Sequence, residues 1–151
     1  SHFAIDNDGT IYQMVDPKYT AWHAGKRKWN TRSVGIDLSN GFYTKYNKHY
    51  EKKGFGKRPI HKNVKVHSGT IKECLGYYPE QIKAYKALVK CLCTYYNIPV
   101  DYPHDSDGGM VRKVYAPAAA GTFKGIVSHF HLTKRKIDCA QLDLEEVLRD
   151  L

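Results

Sequence analysis

The run from Pro79 to Tyr96 constrains the fold of this chain more than any other segment. Ile82, Tyr85, Leu88, Val89, Leu92 and Tyr96 recur at helical spacing, and Lys83, Lys86 and Lys90 fall off that stripe. Proline suits a first helical turn, where its missing N–H is no loss, and Asn97 with Pro99 closes the far end. The stripe is core, and its aromatic and cysteine content requires no cofactor. Towards the other end of the chain, Asp143 caps a short amphipathic helix whose apolar positions are Leu144, Val147, Leu148 and Leu151, with Glu146 completing the capping pattern.

Strand patterns lie ahead of the long helix. His2–Asp6 and Ile11–Val15 flank Asn7-Asp8-Gly9-Thr10, and Asp-Gly is a strong signal for a tight antiparallel turn. Ser33 to Asn40 alternates, with Val34, Ile36 and Leu38 on one face and Gly35, Asp37 and Ser39 on the other. An acid in a strand is unfavourable by propensity, so Asp37 either borders solvent at an edge or serves a site.

A chain of 151 residues and 17.3 kDa is expected to form one domain, and no apolar run approaches the length of a membrane span. No signal peptide is visible. The chain opens on Ser1 in a strand-like pattern, so an upstream segment is expected to precede it. Four cysteines without a CxxC pair read as free thiols, suited to a reducing compartment or to brief action outside the cell. Twenty-four Lys and Arg against fifteen Asp and Glu give a charge of +9. That charge favours a polyanionic partner, whether nucleic acid, an anionic cell wall or a membrane surface.

Three stretches carry chemistry. Gly125 to His131 ends a β-branched run in His129 and His131, which on an extended chain share one face, and Asp138 follows nearby. That is half of a metal site, since catalytic zinc takes three protein ligands and one open position; the competing reading is ordinary polar loop residues. Ala21-Trp22-His23-Ala24-Gly25 sets an aromatic and an imidazole among small residues, as a loop that admits a ligand or as a surface turn with a packed Trp. Residues 41–78 hold nine Lys or Arg against two acids, interleaved with Phe and Tyr. They read as a long, partly ordered insertion, with the composition of nucleic-acid grooves, sugar-binding surfaces or plain solvated loops. Residues 98–124 read as loop: Asp105 to Gly109 lacks the acids of a calcium loop and forms a turn, and Ala116 to Gly121 is small and flexible.

Taken together, the hairpin with its Asp8-Gly9-Thr10-Ile11-Tyr12-Gln13 block, Ala21-Trp22-His23-Ala24-Gly25, Ser33-Val34-Gly35-Ile36-Asp37-Leu38, Gly125-Ile126-Val127-Ser128-His129 and Lys136-Ile137-Asp138 resemble the zinc-dependent N-acetylmuramoyl-L-alanine amidases. These are the type 2 amidases, related to peptidoglycan recognition proteins and short phage endolysins. The resemblance implies an α/β fold: a mixed central sheet flanked by helices, with zinc in a groove on the sheet's face. It places the metal on His129 and Asp138, with Cys139 or His131 as substitutes. Asp37 stands where the family has a longer acid, the candidate general base, and Lys136 is the expected oxyanion stabiliser. Trp22, His23 and Asn30 are expected to grip sugar and stem peptide. The family's first zinc ligand lies on a strand before the hairpin, so the fold expected is the family's without its first strand and helix, with inserts near 41–78 and 100–123. The activity implied is cleavage of the bond between muramic acid and L-alanine in peptidoglycan or muropeptides. The enzyme would act in the cytoplasm of the producing cell or after release onto the wall. Two rivals remain: a peptidoglycan-binding module without catalysis, and a basic nucleic-acid-binding domain resting on residues 41–78.

Overall fold

The computed structural model describes residues 1–151 and opens on the expected hairpin. Strand β1 (Phe3–Ile5) pairs antiparallel with β2 (Ile11–Gln13). The turn between them is tied by Gly9 N–H to the Asp6 carbonyl at 2.9 Å and Thr10 N–H to the Asp8 carboxylate at 2.9 Å, with Gly9 left-handed at φ +86°. Helix α1 (Arg27–Asn30) lies in the crossover to β3 (Ile36–Leu38), which runs parallel to β1 with Asp37 opposite Ala4. The sheet order is β2-β1-β3, so the central sheet is mixed, as the resemblance implied. Phe3 and Ile5 point into the core, and Val34, Ile36 and Leu38 pack against it.

Residues 41–78 are fully folded, contrary to the partly ordered insertion read from composition. A 3-10 turn (Thr44–Tyr46) leads into α2 (Asn47–Lys52), followed by the hairpin β4 (Ile60–Val66) and β5 (Gly69–Leu75). Val66, Cys74 and Leu75 are buried. Arg58, between α2 and β4, is 2 % exposed and donates to the Gly76 and Ser39 carbonyls and to the side chains of Gln81 and Asn7. One buried guanidinium thereby joins this segment to the central sheet and to the helix that follows.

That helix, α3, spans Pro79–Tyr96 as the periodicity predicts. Gln81 reaches back to the Tyr78 N–H at 3.2 Å, and Asn97 ends the helix in the left-handed conformation at φ 54°. Tyr85, Leu88, Val89 and Cys93 are buried, whereas Tyr96 is 40 % exposed and stacks edge-on with Tyr95. The apolar stripe therefore closes on Cys93 in place of Tyr96. Residues 116–121 are less loose than expected: α4 (Ala116–Ala119) packs under Trp29, whose indole N–H donates to the Ala119 carbonyl at 2.9 Å. Asp105 makes the turn read from the sequence, its carboxylate accepting from the Asp107 and Gly109 amides at 2.9 and 3.1 Å. Asp143 caps α5 (Leu144–Leu148) through the Glu145 amide at 3.1 Å, and Leu144, Val147 and Leu148 complete the core. No helix is long and apolar enough to cross a membrane.

Candidate active site

The alternation of β3 turns Asp37 outward, where it is exposed on the sheet. Gly35, just before the strand, is fixed from both sides. Its carbonyl accepts the His2 and Phe3 amides at 3.0 and 3.1 Å, and its N–H donates to His2 Nδ1 at 3.0 Å. A Cβ on Gly35 would fall 2.4 Å from Cγ of His23, so glycine is required here by close approach of a ring and not by backbone angle. The His23 ring bridges the Ala21 carbonyl (Nδ1, 2.8 Å) and the Ser33 hydroxyl (Nε2, 2.7 Å). Gly35→Ala is expected to destabilise the fold by about 1–3 kcal/mol through overpacking and to shift the His23 ring resonances. Thermal melting with NMR spectra of the histidines checks both effects, and an unmoved His23 would remove this role for Gly35.

Trp22, His23 and Asn30 occupy three different situations. Trp22 is 77 % exposed, and its carbonyl accepts from the Ser1 backbone nitrogen at 3.0 Å. His23 is half-buried. Asn30 is 2 % exposed, and its Oδ1 accepts the His23 and Ala24 amides at 3.1 and 2.8 Å. Asn30 thus shapes the loop that presents Trp22 and His23, leaving Trp22 as the member most open to a ligand.

Gly125 to His131 is not a strand. His129–His131 is a 3-10 turn, closed by His131 N–H to the Ser128 carbonyl at 3.0 Å, and a period of three replaces the alternation that would put both imidazoles on one face. His131 is fully buried, with Nδ1 accepting the Ser128 amide at 3.0 Å and Nε2 donating to the Val111 carbonyl at 2.7 Å. Burial first, then the charges of Arg112 and His67, push its pKa down to about 4 despite the Val111 carbonyl. Both nitrogens are engaged, so His131 has no free lone pair for a metal.

His129 turns the other way. Its Nδ1 lies 2.6 Å from Asp138 Oδ2 across the nine-residue gap, and the Phe130 amide donates to the Asp138 carbonyl at 3.1 Å, drawing the two segments together. The hydrogen bond to Asp138 raises the His129 pKa against the effect of burial. Burial works to raise Asp138, but its hydrogen bond and charge interaction with His129 outweigh this and hold it below the usual carboxylate range. The Lys136 ammonium acts on both groups, lowering each. The loop carrying Lys136 and Asp138 is braced by two distant residues: His67, in the β4–β5 turn, contacts the Lys136 carbonyl through Nε2 at 2.8 Å, and Arg112 donates to the Ala140 carbonyl at 3.0 Å.

Cys139 sits beside Tyr77. Burial pushes its thiol up to about 11; a hydrogen bond from Tyr77 opposes this, and the charges of Asp138 and Asp37 add to it. Tyr77 is buried, with its hydroxyl pKa raised well above normal first by burial and then by Cys139. Sequence reading missed it, because it closes a segment taken for an insertion and no local pattern marks it.

Two donors bonded to one tetrahedral zinc stand about 3.4 Å apart, so His129 and Asp138 need to separate by less than about 1 Å to share an ion. Imidazole nitrogen and carboxylate oxygen are the correct chemistry. No group of three His, Cys, Asp or Glu that could hold a metal is formed; His129 and Asp138 come together as a pair, two donors where a catalytic zinc takes three. No curated protein and no solved structure matches the chain. The model of a family described as N-acetylmuramoyl-L-alanine amidase does match, over residues 1–140, a span that takes in the hairpin, the Trp22–His23 loop, β3 and the His129–Asp138 pair. The chain therefore belongs to the N-acetylmuramoyl-L-alanine amidase family.

Proposed function

We propose that this protein hydrolyses the amide bond between N-acetylmuramic acid and L-alanine in peptidoglycan, using zinc held by His129 and Asp138. The observation that carries the reading is the 2.6 Å contact between His129 and Asp138 in a chain of this family. His129 and Asp138 would hold the ion, which would supply Lewis acidity towards the scissile carbonyl and a water of pKa lowered towards about 7. Asp37, exposed on β3, accepts the water's proton. Lys136 stabilises the developing oxyanion, a contribution of no more than about 2.7–4 kcal/mol. Trp22 packs against sugar or stem peptide, with His23 lining the groove and Asn30 holding their loop. The +9 charge draws the enzyme to an anionic wall, as it acts from the cytoplasm of its producer or after release.

The test is release of stem peptides with a free L-alanine amino group from muropeptides by the zinc-loaded chain. His129→Ala and Asp138→Ala are each expected to lower that release by more than about 100-fold, beyond the range for losing an outer partner of a metal ligand. Asp37→Asn is expected to lower kcat by about 10²–10⁴-fold, the range for a general base. The two-donor site also favours a second reading, a peptidoglycan-binding module without catalysis. That reading predicts retained affinity for muropeptides with no cleavage by the wild-type chain.

A further inference from the structure

We propose that the outer face of the Thr44–Tyr46 turn and α2 is a docking site for a phosphodiester-linked polyanion of the cell wall. An open depression of about 510 Å³ is lined there by Lys45, Tyr46, Lys48, His49 and Lys52, with no carboxylate among them. The two nearby acids already have partners: Glu51 pairs with Lys57 at 3.8 Å, and Glu73 accepts the hydroxyl of Thr44, at the edge of the same face, at 2.8 Å. Lys45, Lys48 and Lys52 enter no ion pair.

This arrangement is unfavourable by itself. Lys48 and Lys52 are like charges one helical turn apart, and Lys48 stands in the first turn of α2, which has no acidic residue and no side-chain cap. Lys52, in the last turn, is favourably placed, but no carboxylate in the lining offsets the repulsion between it and Lys48, which leaves both ammonium groups open to an anion from outside. The face is also held rigidly from within. Asn47 accepts the Arg58 amide at 2.7 Å and donates to the Arg58 carbonyl at 3.1 Å, while the Tyr50 hydroxyl accepts the Gly41 amide at 2.8 Å. The lysines are therefore presented on a fixed frame and not on a loose loop.

The aromatic rings identify the kind of polymer. Tyr43 and Tyr46 meet edge to face at 6.2 Å and 68°, and the Lys45 ammonium lies 5.7 and 5.2 Å from their centroids. Rings crossed in this way, with a cation over each, do not form the open platforms on which successive bases stack. They suit a chain of phosphates separated by polyols or sugars. A wall polymer of that chemistry is the occupant consistent with the amidase reading, on which this inference rests.

The experiment measures binding of the full chain to poly(glycerol phosphate) and to a single-stranded oligonucleotide of equal phosphate count, across a salt series. The patch variant is Lys45→Gln, Lys48→Gln, Lys52→Gln; the control, Lys83→Gln, Lys90→Gln, Lys124→Gln, removes the same charge from exposed sites elsewhere. The patch variant is expected to bind poly(glycerol phosphate) at least about tenfold more weakly and with a salt slope shallower by about 2, while the control stays within about twofold of wild type. The corresponding triple arginine variant retains affinity, which separates lost charge from lost fold. Equal weakening in patch and control variants, or tighter binding of the oligonucleotide by wild type, overturns the proposal. Binding needs neither zinc nor turnover, so a failure to cleave muropeptides would sink the amidase reading and leave this result standing.

Discussion

Arg58→Met is expected to lower stability by about 3–4 kcal/mol, measured as a shift in the urea unfolding midpoint. The guanidinium lies between the rings of Tyr50 and Tyr78, 4.4 and 4.3 Å from their centroids, and its donors reach Gly76, Gln81, Ser39 and Asn7. Several of these acceptors keep a second partner: Ser39 receives Gln81 at 2.8 Å, and Gly76 receives Asn40 at 2.9 Å. The loss is therefore spread over two cation–π contacts, the packing of the stem and the side chain of Asn7, and not over four orphaned oxygens. Arg58→Lys keeps the charge but neither the planar stack nor the fork, and is expected to recover less than half of the loss. A methionine variant within about 1 kcal/mol of wild type would show that residues 41–78 are held to the sheet by something else.

Acid is expected to destabilise the protein through His131. Its folded pKa of about 4 lies below the ordinary value of 6.5, so the unfolded chain takes up a proton that the folded chain refuses. The contribution is intact above about pH 6.5 and is lost as the pH falls through about 4, where the gap between the two values corresponds to about 3 kcal/mol. Urea unfolding at pH 7 and pH 4 measures it, and His131→Gln is expected to shrink the difference between the two by about that amount. An unchanged difference in the variant would assign the acid sensitivity to other groups. In the His129–Asp138 pair only His129 titrates in the opposite sense, because Asp138, like His131, loses its contribution in acid. With His129 raised and Asp138 lowered, the pair's contribution is full between the unfolded values of about 4 and 6.5. It fades as the pH rises through the folded pKa of His129, or falls through that of Asp138. Zinc requires that same histidine neutral, so metal affinity is expected to rise with pH over the range in which the pair's hydrogen bond weakens.

What was legible in the sequence was local. Pro79 to Tyr96 carries its own start, stripe and stop, the Asp8-Gly9 turn specifies its hairpin, and Asp143 caps its helix without help from distant residues. The β4–β5 hairpin was hard to read, because the two residues at its turn, His67-Ser68, include no Asn, Gly or Pro and the only glycine, Gly69, comes just after them. His67 holds a left-handed φ of 55° while its ring reaches the Lys136 carbonyl, a partner far along the chain. Ile60, His61, Lys62, Asn63 and Lys65 are all exposed, so β4 shows almost no alternation to read. The site divides along the same line. His129 and Asp138 were reached through the resemblance of their blocks, and the structure brings them together. The burial of His131, the backbone role of Asn30 and the presence of Tyr77 depend on long-range contacts that no window of sequence contains.

The proposed hydrolysis requires one metal ion held jointly by His129 and Asp138. The most direct measurement is zinc titration of the full chain against a competing chelator, for wild type, His129→Ala and Asp138→Ala. One zinc per wild-type chain is expected, with binding lost in both variants. Zinc bound equally well by all three proteins, or by none of them, would contradict it.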